Sequence, residues 1–397
     1  MTASQRRLYL DYNATAPLLE EARDALLSAL EAANPSSVHS EGRHARALVE
    51  DARRAVARLL SCDPANLVFT SGASEAAMTA LTPRWLIDGR ETAIQKLAVI
   101  DTDHHCIREG GSFAADQVTR LPVDANGIVD CEALAAWVVG LGEDNVGQLA
   151  LTLANSETGV LQPLDRIHAA IAGRPVRLVI DAVQAVGRIP IDLAETGADV
   201  LLVSGHKLGA AKGVGALVLR HSTTRPFPLM RGGGQETGRR AGTEPVPAIA
   251  SFGVAADVAR ERIIESMPHK LATLRRHLEA AIRKALPGAV VLGAEAERLP
   301  NTVAIAAPGL RSETAQMALD LAGIAISAGS ACSSGKVGRS HVVAAMVSAG
   351  LAISAEEGAI RVSFGYETSA DDLDRFVREY AGLANRVTLA HRQDHAA

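Results

Sequence analysis

The stretch Asp199-Val200-Leu201-Leu202-Val203-Ser204-Gly205-His206-Lys207 is an apolar run that stops in small and polar residues. A continuous apolar run of this length reads as a strand buried on both faces, with its reactive groups gathered at the C-terminal tip. A second run, Arg177 to Ile180, ends the same way in Asp181-Ala182-Val183-Gln184. Similar short runs occur at Leu67-Val68-Phe69, Leu97 to Ile100, Leu149 to Leu153 and Ala216 to Leu219. Helix-like or loop segments separate most of them. From Glu41 to Leu60, for example, apolar residues recur at Ala45, Leu48, Val49, Ala52, Val56 and Leu59, with arginine and glutamate on the opposite face. Strands interleaved with helices predict an α/β fold around a mostly parallel sheet.

The pattern changes after Pro245-Val246-Pro247, where a long helical stretch runs through Ser266-Met267-Pro268 and a charged helix follows from Lys270 to Leu286. Strands around Val290-Val291 and Thr302 to Ala306 then predict a second, smaller domain. With 397 residues, 48% hydrophobic and 21% charged, the chain has the composition of a globular protein of about two domains. A net charge of -5 without a long basic run excludes a nucleic-acid footprint. No stretch has the apolar length of a membrane span, and Met1 to Leu10 lack a signal-peptide core, so a cytoplasmic protein is expected. The four cysteines, Cys62, Cys106, Cys131 and Cys332, form no CxxC pair, which argues against both a zinc knuckle and a disulfide framework. No metal site is expected.

The strand tips hold the candidate chemistry. An amine at Lys207 and a carboxylate at Asp181 are what pyridoxal phosphate requires, one for a Schiff base and the other to keep the pyridine nitrogen protonated. Phe69-Thr70-Ser71-Gly72-Ala73-Ser74-Glu75 leads from a strand into a helix, and such a turn is either a phosphate cradle or a plain N-cap. Ser204 and His206 are spaced to add donors to the same anion. In Asp101-Thr102-Asp103-His104-His105 an imidazole could stack on a cofactor ring, although spacing does not decide which histidine does so. Asn155 closes another strand, either as a ligand amide or as a turn residue. Arg361, in an apolar context, requires a carboxylate partner, structural or substrate. Ser327 to Lys336 is small, polar and glycine-rich, and reads either as a flexible loop that offers the Cys332 thiol to solvent or as a linker with an incidental cysteine.

Several segments together resemble the pyridoxal-phosphate-dependent cysteine desulfurases of the class V aminotransferase group. They are Tyr9 to Thr15, Asn34 to His39 with Gly42-Arg43, Asp181 to Gly187, Ser204 to Lys207, Gly232 to Glu236, and Gly329 to Gly335. The resemblance implies the fold of type I pyridoxal-phosphate enzymes, with a seven-stranded sheet in a large domain, 16–262. It also implies a smaller α+β domain, made of 1–15 and 263–397, that carries the cysteine loop. By the same resemblance Lys207 holds pyridoxal 5'-phosphate, Asp181 pairs with its ring nitrogen, Gln184 bonds the phenolic oxygen and His104 stacks on the ring. Ala73, Ser74, Ser204 and His206 face the phosphate. Arg361 and Asn155, with Asn13, hold the carboxylate of L-cysteine, and Cys332 takes the sulfur for transfer to an acceptor or scaffold protein. Arg240 to Thr243 is similar to a loop that crosses to the second subunit of a homodimer, with Thr243 on that subunit's phosphate.

The chain departs from the family pattern at Ala16, Ser74, Ala77 and Ala211, and its tail after Asn385 lacks the acceptor-docking character of some relatives. Two other readings compete. One is a selenocysteine lyase on the same scaffold, in which Cys332 is accessory. The other is a non-catalytic partner protein, against which Lys207, Asp181, His104, Arg361 and Cys332 together argue.

Overall fold

The computed structural model describes residues 6–143, 145–329 and 339–394, with only the helical backbone for 388–394. Its central sheet has seven strands: β1 (Leu67–Thr70), β2 (Lys96–Ile100), β3 (Val118–Leu121), β4 (Gly147–Thr152), β5 (Val176–Asp181), β6 (Val200–Ser204) and β7 (Gly215–Leu219). Their order across the sheet is β1-β7-β6-β5-β4-β2-β3. The pairs from β6 to β3 are parallel, and β7 runs antiparallel to both its neighbours. That reversal follows from the sequence, because only a short loop and no crossover helix separates Ser204 from Gly215.

Side chains of β6 alternate between two apolar layers. Leu201 and Val203 join one cluster with Val56 and Phe252, while Val200 and Leu202 join another with Ala77 and Trp85. Both faces are therefore covered, which explains why the run is apolar without alternation. The helices Ser40–Leu59 and Val246–Ile264 pack on one face, and the helix Ala73–Ala80 on the other.

A third apolar cluster surrounds a four-stranded antiparallel sheet of Val290–Val291, Thr302–Ala306, Ile360–Ser363 and Ser327–Ala328. Helices Met267–Ala285 and Ala370–Asp394 cover it, and Leu8 and Leu10 enter the same cluster because Leu8–Tyr9 pairs with Ile324–Ala325. The continuous helical stretch expected through residues 265–268 is broken into two helices, with Ser266 in the left-handed region at φ 58°. Among the described residues no helix is long and apolar enough to cross a membrane.

Candidate active site

The strands β1, β2, β4, β5 and β6 all point the same way, so their C-terminal ends open into one cleft, the usual ligand position in an open α/β sheet. The cleft has a volume of about 620 Å³ and is lined by Ala73, Ser74, His104, Asp181, Gln184, Ser204, His206, Lys207, Asn13 and Arg361.

Lys207 Nζ donates to the carbonyl oxygens of Asn13 and Ala14 at 2.5 and 2.8 Å, which binds the N-terminal segment to the tip of β6. Asp181 is buried and accepts the N–H of Val183 at 2.9 Å. Burial pushes its carboxyl pKa up, and the nearby His104, the Val183 amide and Lys207 act against that rise. Gln184 Nε2 donates to Asn13 O at 3.0 Å, while its Oε1 accepts from the buried Arg188, which also donates to Gln184 O at 2.7 Å. Arg188 thereby decides which way the Gln184 amide faces. Burial lowers the guanidinium of Arg188 to about 10.

In the same cleft, the helix Ala73–Ala80 starts two residues after β1, and its first-turn N–H groups lack intrahelical partners. A Cβ on Gly215 would stand 2.8 Å from Gly72 and 2.6 Å from Val203 O, so only glycine lets β7 come this close to the turn. His206 Nδ1 lies 3.2 Å from Thr15 Oγ1, and burial together with Lys207, Lys212 and Arg188 lowers its pKa to about 4. Ser74, Ser204, His206 and Lys212 surround this cradle.

Arg361, on the same cleft, is buried and forked. Nη2 donates to Asp11 Oδ1 at 2.6 Å and Ser327 Oγ at 3.0 Å, and Nη1 donates to Ser156 O at 3.0 Å. Its Nε has no partner among the described residues, and neither has the buried Oδ1 of Asn13.

The sequence matches the family described as Aminotransferase class-V over residues 8–376. It is 41% identical over 392 residues to the cysteine desulfurase of Cereibacter sphaeroides, with 96% of each chain covered. Against the cysteine desulfurase NifS of Azotobacter vinelandii it is 37% identical over 383 residues, covering 94% of this chain and 91% of the relative. The chain belongs to the cysteine desulfurases of the class-V aminotransferase family. The solved NifS-like protein from Rickettsia africae overlays with a TM-score of 0.84 at 28% identity, covering 96% of this chain and all of that one.

Members of this family depend on pyridoxal phosphate, and the residues present fit it. A buried carboxylate whose burial disfavours its charge gains from a cationic partner, and a protonated ring nitrogen at Asp181 is one. A helix N-terminus ringed by hydroxyls, an imidazole and Lys212 suits a phosphate. Lys207 lines the same cleft as both.

Not every residue singled out in the sequence lines the cleft. Asn155 Oδ1 accepts from Glu157 N, Thr158 N and Thr158 Oγ1 at 2.9, 3.0 and 3.2 Å, and Nδ2 donates to Thr102 O at 2.8 Å. Its amide orders the loop after β4, and it is not among the described residues lining the cleft. Thr243 is exposed and also stands outside this chain's own cleft. Cys332 lies outside the described residues.

Sequence reading missed others. Asp11 is the carboxylate partner of Arg361, Arg188 orients Gln184, and Glu157 accepts from Ser340 Oγ at 2.6 Å. Cys106, to which the sequence reading gave no role, lines the cleft beside His104. The Tyr9 to Thr15 motif contained Asp11, but nothing local marked it as a partner for a residue 350 positions away.

Proposed function

We propose that the chain removes the sulfur of L-cysteine, leaves L-alanine, and holds the sulfur as a persulfide on Cys332 until an acceptor takes it. One observation supports this reading above the others: the residues flanking 330–338 are tied to the candidate substrate end of the cleft. On one side Ser327 Oγ donates to Asp11 Oδ1 at 2.8 Å and accepts from Arg361. On the other, Ser340 donates to the buried, cleft-lining Glu157 at 2.6 Å.

Pyridoxal phosphate, when bound, supplies the electron sink that allows bonds at the amino-acid Cα and Cβ to break. Lys207 would hold it through Nζ, Asp181 would keep its ring nitrogen protonated, Gln184 would donate to its phenolic oxygen, and His104 would cover its ring. Ala73, Ser74, Ser204 and His206 would bind its phosphate. Arg361 and Asn13 would hold the substrate carboxylate, with Asn155 shaping the loop beside them. Lys207 Nζ would take the proton from the substrate Cα. Cys332 as thiolate would attack the substrate sulfur. The S–S bond forms and the Cβ–S bond breaks with its electron pair left on Cβ, which takes up a proton.

Thr243, exposed and off its own cleft, supports a homodimer in which it meets the second copy's phosphate. Separate apolar clusters on the seven-stranded and on the four-stranded sheet support a division into a cofactor-binding part, 16–262, and a second part made of 1–15 and 263–397. An iron–sulfur scaffold is the acceptor class this reading favours.

Mass spectrometry after incubation with L-cysteine tests the proposal. Sulfur should appear on the peptide containing Cys332, and Cys332→Ala should bind cofactor but release almost no alanine. Full alanine release by Cys332→Ala, or added sulfur on another peptide, would favour a lyase.

A further inference from the structure

Cys106 is the second residue of the short helix His105–Arg108, two positions after His104, and it lines the cleft. Its backbone N–H donates to Nδ1 of His104 at 3.3 Å, and its Sγ lies 3.0 Å from the same nitrogen. An amide N–H can only donate, so Nδ1 carries a lone pair. The thiol is then the donor in the second contact, and the proton of the neutral imidazole sits on Nε2. Burial raises the thiol pKa, which keeps the hydrogen on sulfur.

We propose that Cys106 is a positioning residue for His104: thiol and amide, two donors on one nitrogen, fix the tautomer and orientation of the ring that faces the cleft. The inference rests on the reading of His104 as the ring-covering residue. Protonation of Nδ1 would set a ring N–H against the Cys106 amide and force the thiol hydrogen away, so this pair of donors also resists formation of an imidazolium. The neighbours divide in sign. Asp181 at the end of β5 and Glu157 in the loop after β4 favour the charged ring, whereas His105 and His341 oppose it. Against those two carboxyl groups, the donors on Nδ1 favour the neutral form.

The test uses the holoenzyme labelled with 15N-histidine, with the His104 signals assigned by their loss in His104→Gln. The parent and Cys106→Ser, whose hydroxyl also donates, should both show Nδ1 unprotonated and Nε2 protonated. Cys106→Ala should mix the tautomers and raise the His104 titration by roughly 0.5–1 pH unit, the equivalent of one net hydrogen bond. Cys106→Ala matching the parent, or Cys106→Ser matching Cys106→Ala, would overturn the proposal. The infrared S–H band of Cys106 is a second measurement. It should move to higher frequency in His104→Gln, and an unmoved band would overturn the assignment of the thiol as donor. Neither readout depends on sulfur removal, so the inference and the desulfurase reading fail separately.

Discussion

Replacing Arg361 by lysine separates a substrate-binding guanidinium from a purely structural one. The Arg361 side chain is buried and makes three hydrogen bonds from two nitrogens, to Asp11 Oδ1, Ser327 Oγ and Ser156 O, at 2.6 to 3.0 Å. Its Nε remains unpartnered among the described residues, so the donor set is not saturated by the protein. A lysine ammonium keeps the charge but loses the planar fork, and it meets a carboxylate from one point rather than two. The lost charged hydrogen bond is worth about 1.5–3 kcal/mol, which corresponds to a fall in kcat/KM for L-cysteine of roughly ten- to a hundredfold. Alanine release at varied L-cysteine measures that constant, and a thermal melt of the same protein reports the structural loss. If Arg361 serves only to hold Asp11 and Ser327, Arg361→Lys will melt earlier while kcat/KM stays unchanged. That outcome would refute the substrate role.

Mixed dimers test the shared site: subunits carrying Lys207→Ala combined with subunits carrying Thr243→Ala should regain activity, and a mixture no better than its parents would contradict it. Asp103, buried with both carboxylate oxygens 2.7 Å from backbone N–H groups, has its pKa pushed by burial to about 7. Since this lies above the unfolded value, the native state retains a proton that the unfolded chain releases, and stability falls as pH rises from about 4 to about 7 by up to about 1.4 kcal/mol per pH unit. Denaturant titrations should show that decline flattened in Asp103→Asn, and an identical slope in the two proteins would exclude it. Glu236 pairs with Arg53 through two contacts of 2.8 Å, both side chains being buried. Glu236→Gln leaves the guanidinium without its counter-charge and should cost about 3 kcal/mol in chemical unfolding, whereas a loss below about 0.5 kcal/mol would show that the pair is dispensable.

The features legible in the sequence were those that a few neighbouring residues encode. An apolar run ending in polar groups marks a buried strand and its tip together, so the core of the sheet and the placement of Lys207, Asp181 and Gln184 at its strand ends could be read directly. The edge strand β3, Val118–Leu121, escaped because its middle residues, Thr119 and Arg120, face solvent and leave no apolar run. What only the tertiary structure decided is which polar groups meet across the chain. Arg361 required a carboxylate partner on physical grounds, but its identity as Asp11 depends on the pairing of Thr302–Ala306 with Ile360–Ser363 and on the bridge of Asp11 to Ser363. The hydrogen bond from Cys106 to His104 spans two residues, yet it depends on the turn that His104 caps and on the wall of the cleft around it. Burial along a strand is a periodic, local property of the sequence, whereas a hydrogen bond between residues hundreds of positions apart exists only once the sheets have packed and fixed the distance.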